Sequence, residues 1–157
     1  MLTYDFRLPP GPDTVELAVL AEKLGYDAVW CPEIPAFGHD IWITLARIAE
    51  KTTRLKFGPS VLIPSYRHPM AQASAIATLE QIAPGRLMVG FGTGFTGRAG
   101  MGKKPLKLAE MRTHIEQVRG LLRGDIVDID GGLAQIIASP GRLPDRPINV
   151  PFLMAAD

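Results

Sequence analysis

Residues 54–69, RLKFGPSVLIPSYRHP, read as a buried strand that is interrupted in its middle. Apolar residues stand on both sides of Gly58, Pro59 and Ser60. Glycine and proline weaken a regular strand, and inside one they often mark a bulge or a close approach of two backbones. Because the apolar run resumes as VLI directly after Ser60, the pattern predicts a bulged strand rather than a strand that ends at a turn.

Strands and helices alternate on both sides of this stretch. Segments with apolar residues at helical spacing are separated by short apolar runs, and an excursion near residues 126–139 is typical of a small hairpin. Four such alternations followed by a fifth strand predict an α/β protein with a parallel sheet and helices packed on it. The predicted strands cover residues 2–6, 26–30, 54–64, 86–92 and 148–156.

Length, charge and cysteine content exclude several classes of protein. The chain has 157 residues, which suits one domain, and its formal net charge of +1 gives no electrostatic reason to expect nucleic acid or a membrane surface as a partner. The single cysteine, Cys31, cannot form an internal disulfide, which is typical of the reducing cytoplasm. We therefore expect a cytoplasmic protein without a nucleic-acid or membrane partner.

Two glycine-rich motifs after the fourth predicted strand resemble phosphate-binding loops but depart from them. GTGFTG at residues 92–97 lacks the acidic residue at the end of a following strand that dinucleotide binding needs. GRAGMGKK at residues 97–104 has a lysine where a P-loop has a hydroxyl ligand for magnesium. The basic residues of this loop leave an anionic ligand open as an interpretation. The three histidines show no metal-ligand spacing, so no metal site is expected.

Four stretches together resemble the bacterial luciferase-like superfamily. They are DFRLPPGPD (5–13), AEKLGYDAVWCPE (21–33), the 29 residues from GPSVLIP to IAPGR (58–86) and VGFGTGF (89–95). Within it they are most similar to the coenzyme F420-dependent branch that includes methylenetetrahydromethanopterin reductase. The resemblance implies a (β/α)8 TIM barrel with a flavin or deazaflavin at the carboxyl ends of the strands, where barrel enzymes place their sites.

The resemblance also implies which residues would hold the cofactor. In relatives the third strand is broken by a bulge that contains a cis peptide bond, and this bulge presses against the middle ring of the isoalloxazine. By position the bond is Ser60–Val61 in this sequence. The loop after the fourth strand, which contacts the ribityl-phosphate chain in relatives, matches Gly92, Thr93 and Gly94.

Further matches are less complete. Ala155 and Ala156 match the start of the phosphate site after strand five. Glu33 matches an acid after strand two and is the candidate catalytic residue, although its position alone is equally typical of a solvated loop carboxylate. Ile34 replaces a histidine that often serves as proton donor or acceptor, and Phe95 replaces a glutamate of deazaflavin dehydrogenases.

The resulting expectation is an oxidoreductase that transfers a hydride between coenzyme F420 and an unidentified organic substrate. The alternatives are an FMN-dependent monooxygenase and a non-catalytic half-barrel module that binds a cofactor or assembles with a partner. Trp30, Phe37 and Phe95 fit either an apolar substrate pocket or ordinary packing. Because four βα units and a fifth strand make about half a barrel, residues 1–157 are expected to be one domain, the N-terminal half of a longer barrel. A homodimer or a complementary half-barrel chain would complete it.

Overall fold

The structure, a computed structural model, describes residues 2–155, and its helices and strands alternate along the chain as predicted. Short 3-10 turns at Pro35–Phe37 and Pro64–Tyr66 follow the second and third strands. The strands are β1 (Asp5–Arg7), β2 (Ala28–Cys31), β3 (Lys56–Pro59), β4 (Val89–Phe91), β5 (Val127–Ile129), β6 (Gly132–Ala134) and β7 (Phe152–Met154). The helices are α1 (Thr14–Lys23), α2 (Ile41–Lys51), α3 (Pro69–Ile82), α4 (Phe95–Ala99) and α5 (Leu108–Arg123).

Five strands form a parallel arc in the order β1-β2-β3-β4-β7. The first three are hydrogen-bonded as one sheet and the last two as another, and both pairings are parallel. Parallel bridges from Phe57 to Leu87 and from Leu62 to Phe91 connect β3 with β4. The predicted series of four strand–helix units and a further parallel strand is therefore confirmed, and β5 and β6 form the expected antiparallel hairpin.

Helices cover one side of the arc because the strands and helices bury apolar side chains between them. Phe57, Leu62 and Phe91 are completely buried on the sheet, as are Leu45 of α2 and Leu121 of α5 on the helices. Each such burial contributes about 1.5–3 kcal/mol relative to an exposed side chain. This packing fixes the helices behind the strands and leaves the strand ends free to carry a site.

The N-termini of α1 and α2 are capped differently. Asp40 caps α2, since its Oδ1 accepts hydrogen bonds from the N–H groups of Trp42 and Ile43 at 2.8 and 3.1 Å. At α1 no side chain caps the helix: Asp13, at the N-cap position, makes no side-chain capping bond, and the Thr14 hydroxyl donates to the Pro9 carbonyl at 2.8 Å.

Two elements also differ from prediction. The first strand begins at Asp5, three residues later than expected. The region expected to be one long loop after β4 contains the helix α4, which follows Gly94 in the left-handed conformation at φ 81°. Among the described residues, no helix is both long and apolar enough to cross a membrane.

Candidate cofactor cleft

The interrupted stretch brings β3 and β4 unusually close together. A Cβ at Gly58 would lie 1.7 Å from the Met88 carbonyl oxygen, so only glycine fits there. Beyond Pro59 the Ser60 N–H donates to the Cys31 carbonyl at 2.8 Å. Gly58 therefore serves the close approach to β4, the second of the two roles that a glycine inside a strand often has.

The chain then turns and pairs again. The peptide bond between Ser60 and Val61 is cis, as expected. The Leu62 N–H donates to the Gly90 carbonyl at 2.7 Å, and the Gly92 N–H donates to the Leu62 carbonyl at 3.1 Å. The prediction of a strand that is interrupted and then resumes is thus confirmed, and the interruption lies at the carboxyl end of β3.

A cleft of about 180 Å³ lies at the carboxyl ends of the strands. It brings together seven of the eight site residues expected from the sequence, although they come from four separate parts of the chain. The eighth, Ala156, lies outside the described residues. The seven that line the cleft are Glu33, Ser60, Val61, Gly92, Thr93, Gly94 and Ala155.

The glycines of the β4 loop pack against the interrupted strand. A Cβ at Gly92 would lie 2.5 Å from Val61 Cγ2, and one at Gly94 would lie 2.7 Å from Ile63 Cγ2. The N–H groups of Thr93 and Gly94 donate no hydrogen bond to the residues that the structure describes. These glycines therefore let the loop approach Val61 and Ile63, and the loop keeps two backbone donors for a ligand.

Glu33 is buried, not solvated, with only 5% of its surface exposed. Its Oε2 accepts a hydrogen bond from the Ile63 N–H at 2.7 Å, which links the end of β2 to the chain beyond the cis bond. Burial raises the pKa of the Glu33 carboxyl from 4.5 to about 7. The Ile63 hydrogen bond and the charge of Arg67 oppose this rise in pKa, and the charge of Asp40 adds to it. A carboxyl that titrates near neutral pH can donate or accept a proton.

A second, wider cleft of about 390 Å³ adjoins the first. Arg7, Ser60, Val61 and Ala155 line both clefts, so the two form one continuous concave surface. The wider cleft lies between β1 and β7, and Trp30 forms part of its wall, where its Nε1–H donates to Asp5 Oδ2 at 3.0 Å.

The structure does not support the apolar pocket, which was one of two interpretations open for Trp30, Phe37 and Phe95. Trp30 lines only the wider cleft and Phe95 only the narrower one, whereas Phe37 lines neither. Phe37 and Phe95 are also 74% and 76% exposed. The three aromatic rings therefore do not enclose a common space.

The sequence interpretation missed Arg7 and Ile63. Arg7 brings a positive charge to both clefts, and its position in DFRLPP at the end of the first strand was the available signal. Ile63 holds the Glu33 carboxylate through its backbone, which no residue type reveals. Cys31 is buried with a pKa raised to about 12 by that burial, so it adds no reactive thiol. No group of three potential metal ligands occurs within residues 2–155.

Known proteins share both the sequence pattern and the fold. The profile of the family described as luciferase-like monooxygenase matches residues 6–157. The F420-dependent glucose-6-phosphate dehydrogenase of Amycolatopsis mediterranei (strain U-32) is 34% identical over 163 aligned positions, which cover 93% of this chain and 48% of that enzyme. The chain thus spans about half the length of the curated relatives it matches.

Two solved structures are similar to this chain over most of its length. The coenzyme F420-dependent tetrahydromethanopterin reductase from Methanopyrus kandleri superposes with a TM-score of 0.78 at 24% identity, covering 99% of this chain and 50% of that one. A type II Baeyer-Villiger monooxygenase from Pseudomonas putida, in complex with FMN, gives a TM-score of 0.66 at 20% identity and covers 85% of this chain and 44% of its own. At these identities the two structures show the fold alone. With the profile matching nearly the whole sequence, the chain belongs to the luciferase-like monooxygenase family.

Proposed function

We propose that this chain forms the cofactor-binding part of a coenzyme F420-dependent oxidoreductase that transfers a hydride to or from a small organic substrate. The observation that carries the proposal is the convergence of seven separately predicted residues on one cleft at the strand ends. The F420 dependence of the Amycolatopsis relative supports this choice of cofactor. When bound, F420 supplies the hydride chemistry, and the protein supplies binding, orientation and proton transfer.

The cleft residues fit such a group. Val61 offers an apolar side chain for one face of a flat ring, while Thr93 and Gly94 offer two free backbone donors for a polar chain. Arg7 adds positive charge for an anionic group where the two clefts meet. Ser60 and Ala155 line the same junction and would hold the group from either side.

Glu33 is proposed as the residue that handles the proton accompanying hydride transfer. Glu33 lines the cleft and its carboxyl has a pKa near 7, so protonated and ionised forms are both available at neutral pH. The histidine that often accompanies this acid in the family is Ile34 here, and the glutamate after GTG is Phe95. We therefore propose that the substrate is not a sugar phosphate.

The wider cleft is proposed to be the interior of a barrel of which this chain supplies one half. The side chains of Phe6, Leu153 and Met154 at this cleft are 42%, 46% and 67% exposed, and β1 and β7 are the outer strands of the arc. Unpaired strand edges and exposed apolar side chains favour pairing with further strands. A second copy of the chain or a complementary half-barrel chain would cover them.

Titration of the purified chain with coenzyme F420 and with FMN tests the proposal. Binding is followed by cofactor fluorescence, and the oligomeric state by sedimentation in the same samples. The variant T93W places a large ring in the cleft, so it is expected to lower F420 affinity at least about tenfold. T78W is the matched control, because Thr78 is exposed on α3 and lines neither cleft.

The outcomes separate the candidate functions. F420 binding that T93W weakens and T78W leaves unchanged supports the proposal. Binding of FMN without F420 would instead favour a luciferase-like monooxygenase. A chain that binds neither cofactor, alone or assembled, contradicts the enzyme proposal and favours a non-catalytic half-barrel module.

A further inference from the structure

Glu33 separates two cavities. On one side lies the cofactor cleft, and on the other a pocket of about 90 Å³ that Glu33 shares with Gly38, His39 and Asp40. His39 and Asp40 are exposed, so the second pocket lies at the protein surface. A single water needs about 10–15 Å³ of such space. The pocket that Glu33 and His39 both line therefore has room for several waters.

Within residues 2–155, one carboxylate oxygen of Glu33 accepts a hydrogen bond. Oε2 accepts the Ile63 N–H, whereas Oε1 accepts no hydrogen bond from the described residues. Oε1 is also absent from the fully enclosed polar atoms that lack a partner, so it is not sealed off from the space around Glu33. The carboxyl is thus anchored through one oxygen and free to exchange a proton through the other.

We propose that Glu33 passes protons between the cofactor cleft and the surface pocket, and that His39 exchanges them with solvent. Imidazole is the side chain best suited to shuttle protons near neutral pH. The role in hydride transfer rests on the proposed function, but the route itself is a property of the chain without cofactor. His39 acts through Glu33 and is a positioning and relay residue, not a catalytic one.

Glu33 loses one proton and regains one in each transfer. The Glu33 carboxylic acid loses its O–H proton to an acceptor in the cleft and becomes a carboxylate. A water in the surface pocket then protonates the carboxylate and takes a proton from the His39 imidazolium, which recovers its own from bulk water. In the reverse direction each proton moves the other way, and no electron leaves the protein.

The charged groups around Glu33 suit this role. Asp40, at the start of α2, raises the pKa of Glu33, and Arg67, beyond the Pro64–Tyr66 turn, lowers it. Those two groups form an ion pair of 2.8 Å, and their charges shift the pKa of Glu33 in opposite directions. Tyr66 also faces this region; burial raises the pKa of its phenol, the charge of Glu33 adds to that rise and Arg98 of α4 opposes it. Glu33 therefore lies between an ion pair and a neutral phenol.

Proton exchange at Glu33 can be measured directly on the chain without cofactor. Glutamate labelled with ¹³C at Cδ gives the exchange rate of the Glu33 carboxyl proton from relaxation dispersion near pH 7. H39A is expected to lower this rate at least about tenfold, since general acid–base groups contribute about 10²–10⁴-fold. Added imidazole is expected to restore it. H39Q serves as a second variant, and amide spectra confirm that each variant is folded.

H68N is the matched control. His68 is another exposed histidine that lines neither cavity, and its Nδ1 caps Met70, a role that asparagine can take over. The exchange rate of the Glu33 carboxyl proton in H68N is expected to equal that of the wild type. An unchanged rate in H39A and H39Q, a slowed rate that imidazole does not restore, or a Glu33 signal that does not titrate between pH 6 and 8 would overturn the proposal. Because no cofactor is present, failure of F420 binding does not affect this result.

Discussion

Replacing Glu33 by glutamine is expected to change how the stability of the protein depends on pH. Burial raises the pKa of Glu33 from 4.5 to about 7 in the folded state, so the folded protein holds a proton that the unfolded chain releases. That contribution to stability is complete below pH 4.5 and is lost as the pH rises through about 7. Each pKa unit corresponds to about 1.4 kcal/mol, so the loss amounts to about 3 kcal/mol.

E33Q removes the titration but keeps a carbonyl oxygen for the Ile63 N–H. Relative to the wild type, the free energy of unfolding of E33Q should therefore rise by about 3 kcal/mol between pH 4.5 and 8. Urea unfolding at a series of pH values, followed by the fluorescence of Trp30 and Trp42, measures this difference. E50Q, at an exposed position on α2, is the control for the replacement itself. A difference between E33Q and wild type that stays constant with pH would refute the burial of a titrating Glu33.

Three further predictions concern neighbouring contacts. D40N removes the charge that raises the pKa of Glu33 and leaves Arg67 without its partner, so a ¹³C titration of Glu33 should show a lower midpoint than in the wild type. His114 is buried, and burial lowers its pKa to about 4. Relative to H114N, the wild type should therefore lose about 3 kcal/mol of unfolding free energy as the pH falls from 6.5 to 4. A stability difference between the two that does not change with pH would contradict the burial of a neutral His114 ring. G92A places a Cβ 2.5 Å from Val61 Cγ2 and should cost about 1–3 kcal/mol in urea unfolding, whereas G11A, with its nearest contact at 3.6 Å, should change stability little.

Local patterns in the sequence were sufficient for much of the fold. The interruption in β3 could be predicted because the apolar residues resume after Ser60, and the cap at Asp40 because aspartate accepts the first free N–H groups of a helix. The end of β4 at Phe91 was predicted to within one residue from the same alternation. Parallel strands gather their carboxyl ends at one edge, so residues far apart in the chain could be expected to meet there.

The missed features depend on contacts that composition does not reveal. The α4 helix begins directly after GTG in a glycine-rich segment, which alone predicts a loop. Glu33 is buried because the chain beyond the cis bond folds over it and Ile63, thirty residues away, supplies a hydrogen bond. Phe37 and Phe95 are exposed because the elements that carry them place both rings at the surface, which apolar residue types alone do not predict.

Amide chemical-shift mapping of coenzyme F420 on the ¹⁵N-labelled chain tests the central claim most directly. We predict that the largest shift changes fall on the amides of Val61, Thr93 and Gly94, which line the narrow cleft. We also predict that a larger cavity of about 510 Å³ between residues 64–69 and α5, with Thr113 and Gln117 in its wall, stays unperturbed. Shifts confined to Thr113 and Gln117, or no shifts at saturating F420, would contradict a cofactor site at the strand ends.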